Sequence, residues 1–325
     1  MQRVAPAAAA MLALLVGACG HLPREDSGPG ATSAPWPADV PPRIELTRTP
    51  FFPQDDHQCG PAALATALGA SGISVQPAEL VGEVYVPARK GSLQAEMLAT
   101  TRRRGRIAYR IEPTFDALAR AVAGGEPVVV LLNLGVRSWP IWHYAVVIGY
   151  EREGEKILLR SGRTERARLS WRRFRGAWSR AGNWGFIALT PGTVPAGATA
   201  AAYAAAVADF ERDDRPGALR AYAAGSARWP DEPLLRLGTA NVLSAQGDRA
   251  GAEQALRDLL ARRPADAAAR NNLAELLSQR GCRDAALAQI AIAKSHARAT
   301  PLAPLIEATA REIDARPADP AASCP

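Results

Sequence analysis

The chain has 325 residues and 48% of them are hydrophobic, so it is long enough for about two domains with substantial cores. Its formal net charge is +7, and nearly all of the positive charge comes from arginine, because lysine occurs only at Lys90, Lys156 and Lys294. No zinc-finger, RNA-recognition or helix-turn-helix pattern accompanies this charge. The composition therefore excludes a disordered chain and does not indicate nucleic-acid binding.

The N-terminus has the pattern of an export signal. Arg3 precedes an apolar stretch over residues 5–18, which is shorter than the roughly 20 residues of a transmembrane helix and typical of a signal peptide. The stretch ends in "VGAC", which resembles a bacterial lipobox and predicts that residues 1–19 are a lipoprotein signal peptide with lipid on Cys19. Gly20 follows instead of aspartate, which by resemblance to Gram-negative lipoproteins predicts the outer membrane, with the protein facing the periplasm. The alternative is an ordinary secretory signal with an incidental cysteine.

Composition then divides the rest of the chain. Residues 20–43 are rich in proline, glycine and serine and predict a flexible linker. A first folded domain is predicted over 44–195, with helices beginning at Gly60 or Pro61 and near 92–104 and 114–123. Strand-like runs follow in the order "RIAYRI", "PVVVLLNL", "HYAVVIGY", "KILLR" and "WGFIALT". Helices followed by an antiparallel sheet indicate an α+β domain.

Residues 196–325 are alanine-rich and predict helices with an internal repeat. Ala218, Ala252 and Ala286 are each 34 residues from the next, and a proline pair and a glycine pair keep the same step. This period resembles that of tetratricopeptide (TPR) repeats and predicts an all-α TPR solenoid that binds a protein partner. Generic alanine-rich helical hairpins are the alternative.

Three cysteines remain if Cys19 carries a lipid. Exported thiols tend to pair, and a disulfide between Cys282 and Cys324 would leave Cys59 as an odd thiol. An odd thiol in an exported protein suggests a reactive side chain, although a free cysteine is often simply a small core residue.

The segment "PQDDHQCGPAAL" places Cys59 where a helix begins. A helix N-terminus and a neighbouring imidazolium both lower a thiol pKa, which makes the sulfur nucleophilic. Of the four histidines, His21 lies in the predicted linker and His296 in the predicted repeats. His57 lies on the same turn as Cys59, and we expect it to point elsewhere. This leaves His143 at the start of the strand "HYAVVIGY". A strand-borne histidine that faces a helix-borne cysteine is the papain arrangement.

Together, "QDDHQCGPAALATAL" and "HYAVVIGY" resemble the papain-like peptidases that remove double-glycine leaders from bacteriocins, and their stand-alone relatives. The resemblance implies a papain-like cysteine peptidase domain that cleaves peptide bonds. It further implies that Cys59 is the nucleophile, that His143 is the base and then the acid, and that Gln54 is an oxyanion donor. Gln58 is a poorer candidate for the oxyanion role.

One element departs from the family pattern. The family usually has an aspartate at the end of the strand after the histidine, where it orients the imidazole. Here that strand reads "KILLRSGRTE", so Arg160 or Ser161 occupies the position. Arginine cannot accept a hydrogen bond, whereas Ser161 can but carries no charge. Ser161 is therefore the candidate third member, with Glu165 as another acceptor.

These patterns predict a lipid-anchored cysteine peptidase with a TPR domain for protein interaction. The sequence shows no ABC-transporter segment, metal-ligand cluster or phosphate-binding glycine loop, so neither metal nor cofactor is expected. Two alternatives remain open. One is a catalytically inert peptide-binding lipoprotein, and the other is a peptidoglycan endopeptidase or amidase.

Overall fold

A computed structural model describes residues 36–317 together with residues 319, 321 and 324. The predicted signal peptide, the lipidation site Cys19 and residues 20–35 of the predicted linker lie outside the described residues. The described residues belong to one compact unit. Within the part of the chain that the structure describes, no helix combines the length and apolar character needed to cross a membrane.

Helices and strands alternate in the first half of the chain, and helices alone fill the second half. The helices are α1 (Cys59–Ala70), α2 (Pro77–Val84), α3 (Gln94–Arg103), α4 (Phe115–Ala123), α5 (Trp171–Ser179), α6 (Ala200–Phe210), α7 (Arg215–Arg228), α8 (Pro233–Ala245), α9 (Arg249–Arg262), α10 (Ala267–Gln279), α11 (Arg283–Ala297) and α12 (Ala303–Ala315). The strands are β1 (Arg43–Glu45), β2 (Tyr85–Val86), β3 (Gly91–Ser92), β4 (Ile107–Arg110), β5 (Val128–Asn133), β6 (Trp142–Glu151), β7 (Lys156–Ser161), β8 (Thr164–Ser170) and β9 (Gly185–Leu189).

Among the described residues, a seven-stranded antiparallel sheet has the order β4-β9-β5-β6-β7-β8, with β1 paired to the end of β6. Strand residues alternate between the two faces of the sheet. Tyr144, Val146 and Ile148 of β6 pack with α1, whereas Ala145 and Val147 pack with α4, α5 and α6. The first domain is therefore a helix–sheet–helix sandwich, as the α+β papain-like prediction requires.

The start of this domain corrects the predicted linker, because residues 36–43 are packed and not flexible. Trp36 lies against the rings of Phe115 and Tyr150, each at 4.9 Å between centroids, and Val40 is buried. The guanidinium of Arg152 donates to the carbonyl of Pro37 at 2.6 Å. Composition alone could not predict this packing, since a proline-rich segment becomes ordered when its few apolar residues, here Trp36 and Val40, pack against the core of a domain.

The second half is an all-α helical solenoid, and the 34-residue step has a structural meaning. Ala218, Ala252 and Ala286 are fully buried where paired helices cross. Gly247 and Gly281 lie in the tight turns before α9 and α11 with φ of 85° and 84°, a left-handed conformation that favours glycine. The repeated small residues thus allow close helix packing, and the repeated glycines allow the turn within each pair.

Helix capping repeats with the same period, with one exception. The side chains of Asp214 and Asp248 accept the N–H of the residue three positions later at the starts of α7 and α9. The corresponding position before α11 is Cys282, which makes no side-chain capping bond. Instead, Cys282 forms a disulfide with Cys324, as the sequence analysis considered, and so ties the C-terminal segment to the start of α11.

The sheet and the solenoid share one hydrophobic core. Tyr203 and Phe210 of α6 and Tyr222 of α7 pack into the same cluster as the sheet face that carries Val147. The hydroxyl of Tyr203 donates to the carbonyl of Thr193 in the connecting segment at 3.1 Å. The first helix pair of the solenoid is therefore fixed to the α/β domain.

Candidate active site

Cys59 is the first residue of α1, and its thiol is buried at the helix N-terminus. Gly60 explains how the helix comes so close to β3, because a Cβ at this position would lie 2.1 Å from Ser92 Oγ. A larger residue at position 60 would push the N-terminus of α1 away from Ser92 in β3. The "CGP" sequence therefore sets the position of the sulfur as well as the start of the helix.

The sheet brings His143 to the same place. His143 is the second residue of β6, and the backbone N–H of Tyr144, the next residue, lies close enough to the Cys59 sulfur to lower the pKa of the thiol. Helix α1 packs against β6, and Tyr144 and Ala63 belong to the same hydrophobic cluster as Cys59. The structure thus brings Cys59 next to Tyr144, the residue that follows His143 in β6.

Ser161 occupies the position of the third group. Its Oγ lies 2.9 Å from His143 Nε2, so this contact engages one ring nitrogen and not the other, Nδ1. Strand pairing explains the contact, because Val146 of β6 lies opposite Arg160 and the following residue, Ser161, therefore shares the face of Ala145 and His143.

Arg160 points to the opposite face and has a structural role. Its buried guanidinium donates to the carbonyl of Thr49 at 2.8 and 3.2 Å and to the carbonyl of Glu165 at 2.7 Å. The Glu165 carboxylate is mostly exposed and approaches Arg160 to 3.8 Å, so it serves Arg160 and not the imidazole. The sequence position left open between Arg160 and Ser161 is thereby filled by Ser161.

A narrow cleft surrounds the thiol, and Gln54 lines it together with Cys59 and Ser161. The backbone N–H of Gln54 donates to the carbonyl of Gly162 at 3.1 Å, which holds this segment against the end of β7. Gln58 is the residue before α1 and does not line the cleft. His57 is exposed and has φ of 62°, which turns it away from the site.

Sequence reasoning missed other residues of the cleft. Phe51, Phe52 and Tyr144 line it, and the Tyr144 hydroxyl donates to the carbonyl of Ser92 at 3.3 Å. The signal for the phenylalanines was present, since an aromatic pair stands directly before the glutamine–cysteine motif. Tyr144 follows His143 in the strand, and the sequence pattern alone assigned it no role.

Two comparisons with known proteins find a similar family and a similar structure. The model of the Peptidase_C39 like family matches residues 46–185, which contain Gln54, Cys59, His143 and Ser161. Residues 46–185 form a C39-like peptidase domain. A crystal structure from Bacillus anthracis, described as that of a candidate C39-like peptidase, matches with 17% identity and a TM-score of 0.36, covering 45% of this chain and 97% of that chain. No curated protein matches the chain.

Burial controls the electrostatics of the C39-like site. It raises the pKa of the Cys59 thiol, and the N–H groups of Tyr144, Gly60 and Cys59 itself lower that pKa by less. Burial also lowers the pKa of His143 to about 4. Both groups are therefore neutral at pH 7 in the resting domain. The sequence analysis expected a lowered thiol pKa, and this is corrected because desolvation outweighs the helix N-terminus here.

Proposed function

We propose that this chain is a lipid-anchored cysteine peptidase that cleaves peptide bonds with Cys59 as nucleophile. The contact of 2.9 Å between His143 Nε2 and Ser161 Oγ, beside the head of α1, carries the proposal. It orients the imidazole of a C39-like domain in the manner required of a general base. The membership of the domain in a peptidase family supports a peptide or protein as the substrate.

Attack on the substrate combines proton transfer with bond formation. In the tautomer with hydrogen on Nε2, Ser161 accepts that hydrogen and Nδ1 takes the thiol proton as the Cys59 sulfur bonds to the carbonyl carbon. The carbonyl oxygen becomes an oxyanion, which the backbone N–H of Cys59 and the amide of Gln54 stabilise. One such donor contributes about 3 kcal/mol in a comparable site.

The intermediate then collapses and the C–N bond breaks. His143 returns its proton to the leaving amine, and an acyl group remains on the Cys59 sulfur. A water molecule next gives a proton to His143 while its oxygen attacks the thioester. Collapse of the second intermediate returns the proton to the sulfur and releases the carboxylic acid, so the site is regenerated without a cofactor.

The segments around the catalytic domain complete the proposal. A lipid on Cys19 would anchor the protein to the outer membrane facing the periplasm, as the lipobox predicts. The helical solenoid would bind a protein partner through a groove between α8, α9 and α10. Leu256 and Leu276 line it, and so do Asn241 and Asn272, whose side-chain amides are joined by a hydrogen bond of 3.0 Å and keep further N–H groups for a peptide backbone.

A second candidate function is an inert peptide-binding lipoprotein. Two observations favour it. The raised pKa of the Cys59 thiol keeps the sulfur protonated, and Ser161 has no negative charge to stabilise an imidazolium at His143. In that case the cleft would hold a peptide without cutting it. Binding would survive replacement of Cys59.

Hydrolysis by the full chain in detergent separates these functions. We would incubate it with unfolded proteins, a peptide library and peptidoglycan fragments, and identify products by mass spectrometry. Peptidase activity predicts new peptide termini that Cys59→Ala and His143→Asn reduce on the order of 10⁴-fold or more, while the exposed control His57→Asn leaves them unchanged. Binding without products, equal in Cys59→Ala, would establish the inert module. Products from cell-wall fragments alone would establish a peptidoglycan hydrolase.

A further inference from the structure

The loop between β5 and β6 exposes an unusual amount of apolar surface. We refer to residues 134–142 as the apolar hairpin. Of the ten large hydrophobic side chains that are exposed among the described residues, five lie in this hairpin: Leu134, Val136, Trp139, Ile141 and Trp142. Trp139 is 79% exposed. A concentration of this kind marks an interaction surface.

The hairpin is an ordered structure that holds these side chains in solvent. The buried amide oxygen of Asn133 accepts the N–H groups of Gly135 and Ile141, each at 3.0 Å. Val136 and Trp139 form a β-bridge across the tip. A Cβ on Gly135 would lie 2.3 Å from the carbonyl of Trp139, so the turn closes only with glycine. The exposure of Trp139 is therefore imposed by the backbone.

The shape and chemistry of the hairpin favour a lipid surface over a peptide. None of the residues that line the cleft around Cys59 belongs to the hairpin, and its side chains project outward instead of enclosing a pocket. The hairpin contains no acidic residue, and its one charged residue is Arg137. Tryptophan with arginine beside aliphatic side chains is the composition of segments that lie at the boundary of head groups and acyl chains.

The proposed anchor reaches far enough for this face to meet a membrane. Trp36 packs on Tyr150 at the end of β6 opposite to Trp142, about 27 Å away along the strand. Sixteen residues separate Cys19 from Trp36, and they can span at most about 60 Å. A lipid on Cys19 would thus hold the hairpin at high effective concentration near the bilayer.

We propose that the apolar hairpin inserts into the lipid interface and turns the cleft beside His143 toward the membrane surface. The hairpin runs directly into His143, so its position would fix the orientation of the catalytic strand. The tethering of the hairpin near the bilayer depends on the lipid anchor of the proposed function. The apolar composition of the hairpin does not depend on it. Substrates would be cleaved at the membrane surface.

Fluorescence quenching by brominated lipids tests the insertion. The full chain is reconstituted in phosphatidylethanolamine–phosphatidylglycerol vesicles that carry bromine near the head groups. Two of the seven tryptophans, Trp139 and Trp142, lie in the hairpin, so the wild-type emission should be partly quenched. The double variant Trp139→Ser/Trp142→Ser should lose that quenching, and Leu234→Ser/Leu305→Ser, which changes two exposed apolar residues of the solenoid, should keep it.

Other outcomes overturn the proposal. Equal quenching in wild type and hairpin variant, or none in either, would show that the hairpin does not enter the lipid. A dimer in sedimentation that only the hairpin variant loses would assign the surface to a second copy of the chain. If the wild type shows no quenching and the hairpin variant has a raised KM for apolar peptides in detergent, the hairpin would instead be a surface that binds substrate. Cys59→Ala should quench like wild type, so failure of the peptidase proposal remains distinguishable.

Discussion

The buried histidine makes the stability of this protein depend on pH in a direction that the structure fixes. Burial lowers the pKa of His143 to about 4 from the ordinary value of 6.5. The folded state therefore binds this proton less readily than the unfolded state, and stability falls as pH falls. The contribution is complete above pH 6.5 and is lost as pH falls from 6.5 to about 4.

The pKa shift of His143 gives the expected size of its contribution to the free energy of unfolding. A difference of 2.5 units, from 6.5 to about 4, corresponds to about 3 kcal/mol at 1.36 kcal/mol per unit. His143→Asn removes the titrating group, so the variant should lose about 3 kcal/mol less than wild type between pH 7 and pH 4. Arginine partners lower the pKa values of carboxylates such as Glu45 and Glu253, so protonation of these groups also destabilises the folded state in acid. Their contribution is the same in wild type and variant and cancels in the difference between the two.

Urea unfolding at several pH values measures this difference, and NMR titration of the imidazoles measures its cause. One histidine signal should titrate near pH 4 and be absent from the spectrum of His143→Asn. His57→Asn is the control, because His57 is exposed and its left-handed backbone suits asparagine. A His143 midpoint at or above 6.5, with parallel stability curves, would refute the neutral resting site.

Three further predictions concern the thiol, a helix crossing and a buried guanidinium. Alkylation of Cys59 should be slow at pH 7, because burial raises the pKa of its thiol above the ordinary value and so leaves little thiolate, and it should become faster as the pH rises; rapid labelling at pH 6 would contradict this. Gly238→Ala places a Cβ 2.2 Å from the buried ring of Tyr222 and should destabilise by about 1–2 kcal/mol in urea, whereas Gly82→Ala, with open space around it, should stabilise by up to about 1 kcal/mol. Arg160→Met leaves three backbone carbonyls without their donor and should cost about 3 kcal/mol of unfolding free energy; an unchanged urea midpoint would show that water replaces the guanidinium.

The sequence predicted the elements whose patterns are unambiguous. α1, β5 and β6 follow from long apolar runs, and the period of the solenoid follows from repeated small residues. The segment over 164–179 was missed because its many arginines hide both β8 and α5. Trp171, Phe174 and Trp178 of α5 nevertheless recur at helical spacing and are buried. The missed helix thus had a signal in its aromatic residues that the charge of its other face concealed.

The sequence could predict that Cys59 begins a helix and that His143 lies at the start of a strand, but it could not predict the charge state of either side chain. The motif placed Cys59 and His143 because a helix start and a strand start are local features. The balance between desolvation and the helix N-terminus depends on how closely α1 packs on β6, which no local pattern contains. The choice between Arg160 and Ser161 likewise depends on strand register, since neighbouring residues of a strand face opposite sides.

Burial keeps the imidazole of His143 neutral, and its uncharged partner Ser161 does nothing to oppose this, so a charged residue at position 161 should change the resting state. A carboxylate within hydrogen-bond distance raises a histidine pKa by about 1–3 units, and Ser161→Asp would place one at Nε2 of His143. The charged imidazole would then stabilise the Cys59 thiolate, so alkylation at pH 6 should accelerate at least about tenfold relative to wild type. Ser161→Asn, with the same size and no charge, should leave the rate near that of wild type. If both variants label like wild type, burial of the thiol and not the identity of residue 161 sets the resting state, and the serine would then serve only to orient the ring.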